Sequence, residues 1–236
     1  MARFYHLKKR NGKRMFIRRR RKGYRGKRKV SNSQGVLIPM RTFTTLKYAQ
    51  DIELKVPAQA GLIDRYQFRA NSIFDPDYAL GGHQPMGRDQ YANFYQKYMV
   101  VSSTITATFR NTSNSSLTSD TNQQYVMGVV TTTPNQIISN NLELLENNRT
   151  TYGFTSPQKP FTRITKTFNA KKFWGLSRVL DNSDYGAVMG ANPLEECLFE
   201  VFGYNPIGSE NPTPLFVNIM IKYNCVLRDR VNLGLS

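Results

Sequence analysis

Two sets of side chains in this 236-residue chain could do chemistry: a dense run of cations, and a sparse scatter of histidine, cysteine and aspartate. The cations dominate. Arg3, Lys8, Lys9, Arg10, Lys13, Arg14, Arg18, Arg19, Arg20, Arg21, Lys22, Arg25, Lys27, Arg28 and Lys29 all fall within the first thirty residues, and the first acid is Asp51. Phe4, Tyr5, Phe16 and Tyr24 are interleaved with them. Lys and Arg neutralise phosphates, and rings offer stacking surfaces for bases, so this is the composition of a single-strand nucleic-acid tail. The same residues serve a nuclear import signal. The tail has no amphipathic apolar stripe of the kind that would lay it on a lipid surface.

The rest of the chemical inventory is thin. His6 lies in the tail, which leaves His83 as the histidine of the body. Cys197 and Cys225 are 28 residues apart inside apolar runs and read as reduced core residues, with no spacing suited to zinc. Phosphate-binding glycine loops and nucleophile elbows are missing from the sequence. Asp75, Asp77 and Asp89 bracket one long loop; carboxylates so grouped either hold Ca2+ or serve as turn and cap residues. Lys171 and Lys172 beside Phe173 and Trp174 form a second basic-aromatic cluster. It reads either as an internal nucleic-acid patch or as a core tryptophan flanked by two solvated lysines. The expectation is a protein without catalytic site, cofactor or metal.

Charge divides the chain. Fifteen of its 33 Lys and Arg sit in the tail, so the other 206 residues carry eighteen against sixteen acids, a balance of +2 within a total of +17. Repulsion and the lack of apolar groups predict a tail that is disordered in isolation. Residues 1–34 are therefore expected to be a basic arm and linker, and residues 35–236 one domain. No run of about 18 apolar residues predicts a transmembrane span, so no membrane insertion is expected, and no secretory signal is visible. The N-x-Ser/Thr triplets at Asn111, Asn114 and Asn148 read as chance in an Asn- and Thr-rich chain.

The elements that must position these groups are mostly strands. Leu46, Tyr48, Ile52, Leu54 and Val56 alternate with Lys47, Ala49, Asp51, Glu53 and Lys55, interrupted at Gln50. Similar patterns predict eight strands, over 44–56, 62–73, 98–110, 124–132, 150–154, 162–169, 196–204 and 215–228. Met99, Val101, Ser103, Ile105, Ala107 and Phe109 are expected on one face of the third. The stretches 124–132 and 196–204 are apolar on both faces. Residues 74–90 form a long structured loop, and 111–124 an exposed polar one. A helix capped by Asp89 is expected to carry Tyr91, Phe94, Tyr95 and Tyr98 on one face packed against the body. Asn140 and Glu143 predict a capping pair for a second short helix. Eight antiparallel strands with long, uneven connections and short helices in loops fit an all-β, two-sheet jelly roll.

One phrase has a resemblance beyond architecture. Phe68-Arg69-Ala70-Asn71-Ser72-Ile73-Phe74-Asp75-Pro76-Asp77 leads to Gly82-His83-Gln84-Pro85-Met86-Gly87 and Asp89-Gln90-Tyr91. It closes on Tyr95, Tyr98 and Val100, running into Ser103 and Ile105. These forty or so residues resemble a phrase in capsid proteins of small circular single-stranded DNA viruses, the circoviruses and their environmental relatives. The arm mixes Lys with Arg, where circoviruses proper are more purely arginine. The resemblance implies strands B to I in sheets BIDG and CHEF, and sixty copies in a T=1 icosahedral shell. It implies a single-stranded DNA genome met by the arm, host nuclear import receptors, and an unidentified host attachment factor. Localisation would be the virion, and the host nucleus during assembly. Asp75, Pro76, Asp77, His83, Gln84 and Pro85 would belong to an assembly loop. Sixty copies at +17 carry 1020 positive charges, matching a strand on the order of a thousand nucleotides. Two alternatives share the arm: a coat protein of a small single-stranded RNA virus or satellite, and a non-assembling, ribosomal-type nucleic-acid-binding protein.

Overall fold

The computed structural model describes residues 7–10, 13–16, 38–79, 82–111, 124–156, 159–176, 180, 182–209 and 212–232. The chain divides into two units, Met1–Leu37 and Ile38–Ser236. In the first, β1 (Leu7–Arg10) and β2 (Lys13–Phe16) pair antiparallel, with Leu7 opposite Phe16 and Arg10 opposite Lys13. The remainder of the expected disordered arm, and the linker at 31–34, lie outside the described residues.

The second unit is built from β3 (Arg41–Leu54), β4 (Ile63–Arg69), α1 (Arg88–Ala92), β5 (Tyr95–Asn111), β6 (Tyr125–Thr132), α2 (Asn141–Glu146) and β7 (Thr150–Thr155). After these come β8 (Phe161–Asn169), α3 (Ala170–Trp174), β9 (Gly186–Val188), β10 (Leu198–Tyr204) and β11 (Leu215–Arg230). One sheet has the order β3-β11-β5-β8, with the short β9 pairing the end of β5, and the other β4-β10-β6-β7. All these pairings are antiparallel. Lettered B to I with β9 left aside, the sheets are BIDG and CHEF. The body is the jelly roll that the strand pattern predicts.

Alternation explains the core. Leu46, Tyr48, Ile52 and Leu54 of β3 and Leu215, Val217, Ile219, Ile221 and Tyr223 of β11 point inward, facing Phe68, Met127, Val129, Phe199 and Val201 of the other sheet. Every residue of β6 and β10 is buried. Their second faces lie under the 133–149 connection, where Val126, Val130, Phe202 and Tyr204 pack with Leu144 and, at the margin, Ile138 and Leu145. α2 starts at the expected Asn140, whose Oδ1 accepts from the Leu142 amide at 2.9 Å, while the Glu143 side chain does not complete the expected pair.

Four expectations are corrected. The all-aromatic helical face does not form, because α1 ends at Ala92 and Tyr95 and Tyr98 belong to β5. Pairing with β11, extended to Tyr95 opposite Arg230, outweighs a 3.6-residue period carried by only four side chains. Asp89 is not the cap either. Gly87 (φ 86°) holds that position, and Asp89 pairs with Arg88 at 2.7 Å. Within β5 the ladder jumps from Ser102 opposite Asn224 to Val100 opposite Cys225, which leaves Val101 as an extra residue. This bulge reverses the alternation above it, so Val100 is buried and Val101 only half-buried. Finally, the second strand stops at Arg69 rather than residue 73, because the chain folds back and Pro76 O accepts the Arg69 amide at 2.7 Å. The polar loop at 111–124 falls mostly outside the described residues.

Gly128 stands directly opposite Phe202 in the ladder. A Cβ there would run into the Phe202 ring and come within 2.7 Å of the Thr151 carbonyl. Gly128→Ala should therefore destabilise the body by about 1–3 kcal/mol, read from the denaturant midpoint. Adding Phe202→Leu should recover part of that loss.

Candidate nucleic-acid interface and assembly loop

Lys8, Lys9, Arg10, Lys13 and Arg14 lie on the β1–β2 hairpin, with Lys9 opposite Arg14. Arg3, Arg18, Arg19, Arg20, Arg21, Lys22, Arg25, Lys27, Arg28 and Lys29 lie outside the described residues.

The second cluster sits on α3. Asn169 Oδ1 accepts from the Lys172 amide at 3.1 Å and starts the helix, and Gly175 (φ 68°) ends it. Lys171 and Lys172 are exposed. Trp174 is packed edge-on against Phe168 and Phe173, with centroids at 5.3 and 5.4 Å, and tilts over Tyr185 at 4.2 Å. The Arg149 guanidinium lies 4.5 Å above Phe173. The tryptophan ring is thus engaged by the protein's own aromatics, and the two lysines are the part of the cluster that faces solvent.

The loop after β4 is held by one guanidinium. Arg69 Nη1 donates to Asp75 Oδ2 at 3.0 Å and to the Asp77 carbonyl at 2.8 Å, while its Nε donates to Glu196 Oε1 at 2.7 Å. The same group lies 4.7 Å over the Tyr78 ring. Asp77 is buried and fully engaged. Its Oδ2 accepts from Gln50 Nε2 at 2.9 Å and Tyr66 OH at 2.8 Å, and its Oδ1 from the Ala79 amide at 3.0 Å. Tyr48 OH donates to Gln50 Oε1. His83 is exposed and stacks its ring on Tyr48 at 4.5 Å. Gln84 Oε1 and the Pro85 carbonyl both accept from Arg88, at 3.0 and 3.1 Å, and Pro76 and Pro85 are buried.

Of the six expected loop residues, Asp75 and Asp77 are thus tied to Arg69, His83 rests on Tyr48, and Gln84 and Pro85 are bonded to Arg88. Asp75, Asp77 and Asp89 spend their carboxylates on Arg69, on Gln50 and Tyr66, and on Arg88 respectively. Among the described residues no three metal-type side chains converge. The residues that sequence reasoning left out are Arg69 and Gln50. Gln50 had a signal, since it breaks the apolar alternation of β3, and the buried Asp77 carboxylate is its reason.

Burial raises the phenol of Tyr66 to about 12, helped by its bond to Asp77 and that carboxylate's charge. Burial also pushes up Tyr48, Tyr98 and Tyr223. Cys197 and Cys225 are free, buried and likewise pushed up, so neither is a poised thiolate.

No family model matches the chain, and no curated protein matches it. Solved structures do match. The Macrobrachium rosenbergii nodavirus semi-empty particle is 11% identical, covering 85% of this chain and 100% of that one at a TM-score of 0.46. The decameric BFDV capsid protein is 8% identical, covering 80% and 99% at 0.41. Desmodium yellow mottle tymovirus is 9% identical, covering 87% and 99% at 0.34. The proteins that this chain is similar to in shape are thus virus coats, and the jelly-roll assignment itself rests on the strand order described above.

Arg69→Met would leave Asp75 and Glu196 without their cation. It should cost roughly 2–4 kcal/mol in urea unfolding and make the 75–85 loop more open to proteases. Arg69→Lys should recover only part of this, since a point charge cannot serve all these acceptors at once. The raised phenols set an alkaline limit. Stability should be whole below about pH 10, the ordinary tyrosine value, and fall as pH rises through 10 towards 12. Unfolding midpoints and tyrosinate absorbance should move together across that window.

Proposed function

We propose that this chain is a self-assembling viral capsid protein whose basic arm condenses single-stranded DNA. The observation that carries the reading is the separation of charge from fold. A near-neutral jelly-roll body is joined to an arm with fifteen cations and no acid. Dedicated nucleic-acid-binding modules usually carry their excess positive charge in the folded domain, whereas here fifteen of the seventeen net charges sit in the arm. The arm contacts phosphates and so carries no base readout, and packaging selectivity comes from elsewhere. By the sequence resemblance the shell is a T=1 assembly of sixty copies. The same arm serves import into the host nucleus, the body's outward loops meet the host attachment factor, and Asp75, Pro76, Asp77, His83, Gln84 and Pro85 make contacts between copies. Internal bonding suits that role, because a preordered loop loses little entropy on docking.

Deleting residues 1–37 should leave a folded body whose affinity for single strands collapses, with the slope of log K against log salt falling by roughly 10 for fifteen cations. Undiminished binding by the truncated chain at moderate salt would refute the arm's role. The full-length protein should size as a particle of several tens of subunits, whereas a monomer or dimer would point to the ribosomal-type alternative. Cargo extracted from particles should be destroyed by DNase, and cargo destroyed only by RNase would make this an RNA coat.

A further inference from the structure

The cross-strand register of the β3-β11-β5-β8 sheet places four cations and two exposed phenylalanines on one solvent-facing surface. Lys47, Lys222, Thr104 and Thr167 form one row across the four strands, and Glu53, Phe216, Arg110 and Phe161 another. Between them lie the rows Ala49, Met220, Thr106, Thr165 and Asp51, Asn218, Thr108, Arg163. Strands about 4.8 Å apart and rows about 7 Å apart make this a continuous platform.

Its charges are unspent. Lys47 and Lys222 are exposed and stand directly opposite each other, an arrangement of like charges that costs stability. Among the described residues, no carboxylate or other acceptor contacts Lys47, Lys222, Arg110 or Arg163. Asp51, the nearest acid to Arg163 in its row, instead accepts from Asn218 Nδ2 at 2.7 Å. The other sheet differs. There Arg65 pairs with Glu200 at 2.5 Å and Arg69 with Asp75 and Glu196, so its guanidinium groups are already neutralised. Phe161 and Phe216 are 64% and 44% exposed on the platform, flanking Arg110 in the same row. The Thr104–Thr167 pair, at 3.1 Å, uses one of its two O–H groups and leaves the other to donate.

We infer that this sheet face is a second binding surface for single-stranded nucleic acid, with Lys47, Lys222, Arg110 and Arg163 on phosphates and Phe161 and Phe216 stacking bases. Unpaired cations want an anionic occupant. Exposed rings beside them want flat apolar groups, and a single strand supplies both. The inference rests on the capsid reading and adds to it: the arm gathers the strand, and the body's sheet holds part of it in place.

The test uses the full-length chain with its arm intact. Lys47→Gln, Arg110→Gln, Arg163→Gln and Lys222→Gln combined should lower the salt slope for oligo-dT binding by about 3, so that a fourfold rise in salt costs the variant about 60-fold less affinity than it costs the parent. Independently of any variant, ultraviolet cross-linking of oligo-dT to the parent protein should mark the peptides holding Phe161 and Phe216. An unchanged slope with cross-links confined to residues 1–37 would overturn the inference and leave the arm's role standing. A variant that changes particle size at an unchanged slope would overturn it in favour of a contact between copies. If instead the arm deletion leaves affinity intact while the quadruple variant loses it, the sheet face stands and the arm model fails.

Discussion

The backbone ladder of β11 is the interaction on which the body depends. This last strand bonds β3, the first strand of the body, along one edge and β5 along the other. Its alternate residues Leu215, Val217, Ile219, Ile221 and Tyr223 line the inter-sheet core, and Phe216, Asn218, Met220 and Lys222 form the centre of the opposite face. The sheet closes only when the C-terminal segment inserts between two strands that each lie more than a hundred residues before it in sequence. So non-local a pairing pays its loop entropy before any contact repays it, and jelly rolls of this kind fold slowly. The bulge at Val101 belongs to the same ladder. It lets one long strand bury Ser103 to Phe109 on one side of the irregularity and Tyr98 to Val100 on the other.

The two sheets solve their outer faces differently. The β4-β10-β6-β7 sheet is covered by its own 133–149 connection, so β6 and β10 are apolar on both sides and Arg65 meets Glu200 beneath that cover. The β3-β11-β5-β8 sheet has threonines and unpaired cations on its corresponding face. Between the sheets, buried polar groups of the described residues are bonded to one another or to backbone. Gln50, Tyr48, Tyr66 and Asp77 satisfy one another, and Ser103 donates to the Ala70 carbonyl. A buried carboxylate without such partners would cost several kcal/mol, so the loop that brings in Asp77 and the strand that brings in Gln50 are one unit.

Much of this was legible in the sequence, for a plain reason. A strand half-buried in a sandwich alternates with a period of two, and β3 and β11 do so over more than ten residues. Strands buried on both faces appear as unbroken apolar runs, as in β6 and β10. Asn140 announces α2 because a cap is a local interaction. The aromatic run at Tyr91 to Tyr98 misled because its spacing satisfies a helix, while the β11 ladder that claims Tyr95 and Tyr98 lies over a hundred residues away. The same distance hid Arg69: its partner Glu196 is 127 residues on.

By itself, the sequence determined the division into a polycationic arm and a near-neutral body, the strands of that body, and the scarcity of catalytic groups. Each is a property of composition or of short-range periodicity. Only the tertiary structure decided which residues meet. It made Arg69 the clasp of the 74–87 loop, and it turned carboxylates that could have faced a metal towards Arg69, Gln50, Tyr66 and Arg88. It also set Lys47 beside Lys222, and Arg110 between Phe216 and Phe161. Those neighbours come from four strands remote in sequence, and cross-strand register, which sets them side by side, exists only once the sheets have formed.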